Sequence, residues 1–129
     1  MDVTVSNQEH PEVVLVTIGG DVDVYTAPAL REQLDRLIAA GRRHMVLDLE
    51  QVPFMDSTAL GVLVGRLKLT RVQHGSLRVV CTVPRILRVF DITGLKQVLP
   101  VHDTVDDALT HALAQVAETT AGTGGTPGG

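Results

Sequence analysis

The chain is poor in the side chains that most often carry chemistry. It has one cysteine, Cys81, so it can form neither an internal disulfide nor a multi-cysteine metal cage. It has no tryptophan, and its aromatics are Tyr25, Phe54 and Phe90, so a core must be built from Val, Leu, Ile and Ala. It lacks the run of about 18 apolar residues that a membrane span needs, and the polar opening Met1–Pro11 is not that of a secretory signal. Positive charge is also in deficit: 11 Lys and Arg stand against 15 Asp and Glu, a net charge of −4. Such a balance argues against coating a phosphate backbone, which calls for a basic footprint. What is present, 129 residues that are 44% hydrophobic and 20% charged, suits one domain with a sizeable core. The expectation is a soluble cytoplasmic protein without direct nucleic-acid or membrane contact.

Hydrophobic periodicity sets out the elements. Val3–Ser6 and Val13–Ile18 read as two strands joined by a turn around Pro11, an opening antiparallel hairpin. Leu30, Leu34, Leu37 and Ile38 mark one face of a helix with Thr26 at its N-cap, Pro28 in its first turn and Gly41 at its end. A strand over Met45–Leu49 leads into a second helix from Ser57 to His74. Leu77–Cys81 is a strand, Pro84 to Gly94 brackets a helix, and Gln97–Val101 is a short strand. Thr104 and Asp107 have capping-box spacing and open a last helix that turns Val105, Leu109, Leu113 and Val116 inward. Alternating strands and helices imply an α/β fold, a mixed sheet of about four to five strands with about four helices, parallel after the hairpin. The domain is placed at residues 1–118. Residues 119–129 hold five of the twelve glycines and four threonines, and read as a flexible tail.

Familiar catalytic signatures are missing. There is no GxxxxGK[ST] loop, no GxGxxG after a strand, no HExxH and no GxSxG elbow. The histidines (His10, His44, His74, His102, His111) share no metal-ligand spacing and read as surface or boundary residues. Cys81 lies in an apolar stretch and reads as an inert buried thiol. No metal or cofactor is expected. The informative segment is the strand-to-helix junction from Leu47 to Gly61, because parallel sheets build their sites at strand carboxyl ends. Asp56 or Ser57 there is also the residue type a helix N-cap wants.

The junction Phe54-Met55-Asp56-Ser57-Thr58-Ala59-Leu60-Gly61-Val62-Leu63 resembles the phosphorylation segment of bacterial anti-sigma-factor antagonists, the STAS domain family, approximately "FMDS[ST]GLGVL". Gly20-Asp21-Val22-Asp23 with Thr26-Ala27, the strand Leu77–Val80, and Val89–Leu95 resemble further family segments in the same order. The resemblance implies that Ser57 is the target of a partner kinase, with Thr58 the runner-up hydroxyl. It also implies a partner-contact surface of Asp23, Thr26, Phe54, Met55, Asp56, Thr58, Leu60 and Gly61. The family usually has Gly where this chain has Ala59, which firms the helix start and sets a methyl near the serine.

Such a protein is a switch, not an enzyme. The resemblance implies an unphosphorylated form that binds an anti-sigma factor with serine kinase activity and so frees a sigma factor. Phosphorylation at Ser57 breaks the complex, and a PP2C-type phosphatase resets it. The alternative is a non-phosphorylated STAS scaffold or lipid-transport-type subunit acting only through protein contacts. A small hydrolase would need a base near Ser57, and no histidine has a sequence position that suggests one. A phospho-acceptor receiver would need paired acids ending its first strand, which are missing.

Overall fold

The computed structural model describes residues 1–125. A five-stranded sheet is laid down in sequence order. Strand β1 (Asp2–Asn7) pairs antiparallel with β2 (Val13–Gly19). Strands β3 (His44–Gln51), β4 (Ser76–Val80) and β5 (Val101–His102) then add in parallel, giving the order β1-β2-β3-β4-β5. Parallel crossovers are right-handed, so a sheet that grows in one direction places every crossover helix on the same face. Helices α1 (Ala27–Ala39), α2 (Ser57–Val72) and α3 (Pro84–Thr93) occupy that face. They bury Leu30, Leu34, Leu63, Leu67, Ile86 and Phe90 against Val16, Ile18, Leu47, Leu49 and Val79 in one aliphatic core. Alternate strand residues point the other way, where Val13, Val46 and Val80 meet Ala108, Ala112 and Val116 of α4 (Val105–Gly125).

The α/β class, the hairpin, the parallel sheet and the four helices match the reading from periodicity, with four local differences. Leu113 is 39% exposed, because α4 approaches the sheet through Ala108 and Ala112, whose short side chains permit close packing. The strand expected over Gln97–Val101 forms only at its last residue: Gln97 closes a 3-10 turn, Leu95–Gln97, residues 98–100 are irregular, and pairing is confined to Val101–His102 beyond Pro100. Helix α2 ends at Val72, with His74 left-handed at φ 62 and Gly75 after it. The amides of His74 and Gly75 donate to the carbonyls of Arg71 and Thr70, which closes the last turn. The glycine falls one residue past the left-handed position because a Cβ on Gly75 would lie 2.0 Å from the Arg43 carbonyl oxygen. Finally, α4 runs past residue 118 to Gly125; the rest of the expected tail, 126–129, lies outside the described residues.

Two histidines read as surface or boundary residues are buried. His44 is 2% exposed at the start of β3, with its Nδ1 2.9 Å from the Ser76 hydroxyl on β4. His102 is 8% exposed. Cys81 is fully buried, and burial pushes its thiol up, as befits an inert side chain. Burial likewise pulls the His44 imidazole below its ordinary value, while Glu12 opposes the shift.

Because the folded protein disfavours protonated His44 more than the unfolded chain does, this contribution to stability is complete above about pH 6.5. It declines as the pH falls from there through the lowered folded value. Urea midpoints measured between pH 7.5 and pH 5 should fall, and the His44→Asn variant should show a flatter profile over that window.

Candidate functional site

Strand β2 ends at Gly19, and Gly20, at φ +86, turns the chain into the loop Asp21–Thr26. This loop and the β3–α2 junction are stitched together. The Val22 amide donates to the Phe54 carbonyl at 3.0 Å, and the Asp56 amide donates to the Val22 carbonyl at 3.2 Å. Asp56 is the N-cap of α2, in extended backbone, and it settles the choice between Asp56 and Ser57 for that role. Its Oδ1 accepts the Ala59 amide at 3.0 Å, while its Oδ2 accepts the Val24 amide at 2.9 Å. One carboxylate therefore caps the helix and holds the neighbouring loop.

The loop has its own knot. Asp23 Oδ1 accepts the amides of Tyr25 and Thr26, and Thr26 Oγ1 accepts the Asp23 amide at 3.0 Å. Partial desolvation works to raise the Asp23 carboxyl, but the Tyr25 amide and the Thr26 amide and hydroxyl outweigh it and hold Asp23 below the usual carboxylate range. Thr26 stands at the N-cap of α1 as expected, yet its hydroxyl makes no capping bond because the Asp23 knot occupies it.

Ser57 is the first residue of α2, and it and Thr58 are exposed. Among the described residues their amides meet no acceptor, so the positive end of the helix dipole is open at the serine. The junction and the loop bonded to it expose apolar side chains: Phe54 at 41%, Val24 at 54% and Tyr25 at 88%. Periodicity cannot find Val24 and Tyr25, because they lie in a loop; an aromatic in an Asp-rich turn was the available signal. Leu60 and Gly61 lie one turn on, lining a groove of about 420 Å³ with Val64, Thr93, Gly94, Leu95 and Val98.

The bridge between Val22 and Met55 thus gathers Asp23, Thr26, Phe54, Asp56, Ser57 and Thr58, with Leu60 and Gly61 at the margin. Met55, expected at the surface, is 5% exposed and belongs to the core, so it lies beneath this surface and shows little side-chain area on it. Ala59 is also buried, at 1%, so its methyl points into the core and away from the surface around Ser57.

Both Asp56 oxygens accept backbone amides, and the Ser57 beside them is exposed. The clustered metal-type side chains found among the described residues, His102, Asp107 and His111, are on β5 and α4 and do not adjoin it. No helix among the described residues is long and apolar enough to cross a membrane.

The STAS domain family model matches residues 4–108. An anti-sigma-B factor antagonist of Bacillus subtilis is 41% identical over 101 residues, 78% of this chain and 92% of its own length. An anti-sigma F factor antagonist of Paenibacillus polymyxa is 34% identical over 111 residues, covering 85% and 95%. The crystal structure of an anti-sigma factor antagonist from Mycobacterium paratuberculosis superposes with a TM-score of 0.72 at 31% identity, over 86% of this chain and 94% of that one.

Truncating Asp56 removes both of its bonds. Asp56→Ala should cost about 1–2 kcal/mol, whereas Asp56→Asn, which keeps one acceptor oxygen for the helix, should cost less. Urea denaturation of the two variants checks this, and an Asp56→Ala variant as stable as the parent contradicts the capping role.

Proposed function

The chain belongs to the STAS domain family, and from that premise we propose that it is an anti-sigma-factor antagonist switched by phosphorylation of Ser57. One observation carries this reading: Ser57 stands exposed as the first residue of α2, next to Asp56, whose carboxylate also holds the loop that carries the exposed Val24 and Tyr25. The relatives named as anti-sigma-B and anti-sigma F factor antagonists support it.

In this reading the unmodified surface docks on an anti-sigma factor that is also a serine kinase. The exposed aromatic and aliphatic side chains supply the buried area of the contact, and Asp23 supplies fixed polar geometry. The bound kinase transfers the terminal phosphoryl group of ATP to the Ser57 hydroxyl. The phosphate adds about −1.5 to −2 charge, taking the net charge from −4 to roughly −6. Two forces then act in opposite directions. Within the protein, the open amides and the positive helix end favour an anion, so the fold tolerates the phosphate. Within the complex, extra charge and bulk enter a close-fitting surface beside Asp23 and Asp56, and a loss of about 3 kcal/mol weakens binding roughly a hundredfold. A PP2C-type phosphatase restores the first state. Thr58, equally exposed, is the second candidate hydroxyl, and Ala59, buried, leaves the surface clear.

Incubation with the cognate kinase and ATP, followed by mapping of the phosphate, should place it on Ser57, and Ser57→Ala should remain bound and unmodified. Phosphate found elsewhere while Ser57 stays free contradicts the assignment. The phosphorylated protein should melt within a few degrees of the unmodified form.

A further inference from the structure

The opposite face of the sheet carries a cluster that the switch does not use. His102 ends β5, and Asp107 and His111 stand one helical turn apart on α4. One donor atom from each lies within 4.8 Å of the others, and the two imidazole rings are 4.9 Å apart, centre to centre. We propose that His102, Asp107 and His111 form a binding site for a divalent transition-metal ion of the zinc class.

The donor set decides the class. Two imidazole nitrogens and one carboxylate suit Zn²⁺ and its first-row neighbours, whereas Mg²⁺ and Ca²⁺ call for oxygen ligands throughout. The i, i+4 spacing of Asp107 and His111 sets both on one side of α4. Their exposure, 54% and 55%, leaves the ion a path from solvent onto His102, which the fold anchors at 8%. The His111 Nδ1 lies 2.9 Å from the Asp107 carbonyl oxygen, which orients the second ring.

The outer shell bears on affinity. Arg78 Nη1 is 3.0 Å from His102 Nε2, and a guanidinium only donates, so Nε2 accepts and Nδ1 carries the proton. That proton is donated to Asp107 Oδ2 at 2.5 Å. The metal takes its place on Nδ1. With a metal on Nδ1 the displaced proton passes to Nε2, so Arg78 must give up that bond and keeps Gln115, whose Oε1 accepts its other terminal nitrogen. The bound ion pins α4 to the end of β5.

Zinc titrated into the chelator-stripped full chain, read by calorimetry and repeated with cobalt for its visible bands, tests the site. One equivalent should bind, and zinc but not magnesium should raise the melting temperature. His111→Ala should keep its metal-free melting temperature and lose at least about tenfold in affinity, and Asp107→Asn should lose a similar factor. His111→Phe, which keeps the bulk of the ring, should behave as His111→Ala does. Absence of binding up to millimolar zinc, or unchanged affinity in both His111 variants, overturns the proposal.

Discussion

The candidate site depends on one carboxylate shared between two segments far apart in sequence. Asp56 takes the Ala59 amide on one oxygen and the Val24 amide on the other, so α2 and the loop before α1 are fixed by the same side chain. The parallel bridge between Val22 and Met55 lies beneath it, and Met55 closes that contact into the core. Ser57 is therefore presented by a ledge whose geometry is set before any partner arrives. A hydroxyl held this way can gain a phosphate without disturbing what lies below. In the proposed switch the change is confined to the outer surface, which carries exposed apolar side chains and Asp23.

The order of the sheet puts the site where it is. Strands added in one direction leave three crossover helices on one face, and the β2–α1 and β3–α2 connections emerge side by side at the carboxyl ends of neighbouring strands. The other face is left to α4, which meets the sheet through Ala108 and Ala112. The molecule thus has two polar constructions: the Asp23–Asp56–Ser57 ledge at the strand ends and the Arg78–His102–Asp107 chain beside α4.

Much of this was legible in the residues. Leucine spacing, Pro28, Gly41, Pro84 and Gly94 place α1 and α3, because periodicity and end signals are local. The junction around Ser57 was legible as a motif, and Asp56 as one of two candidate caps. The second bond of Asp56 was not, since its partner Val24 is 32 residues away and donates through its backbone. Met55 and Phe54 looked alike in sequence, yet the strand bridge turns one into the core and leaves the other exposed. Leu113 misled because hydrophobicity favours leucine over alanine, while close packing on the sheet favours the smaller side chain. The histidines showed no metal-type spacing because His102 and His111 lie on different elements, and His44 gains its Ser76 partner only through β3–β4 pairing. Long-range register decides these positions, and spacing along the chain does not carry it.

In the proposed switch, phosphorylation alters a surface and not a fold. Amide hydrogen exchange at Val24 and Ala59, measured before and after modification of Ser57 and set beside affinity for the partner kinase, tests it most directly. The account predicts protection at both amides unchanged within a few-fold while affinity falls roughly a hundredfold. Loss of protection at Val24 and Ala59 on phosphorylation would show that the ledge itself comes apart, and would contradict it.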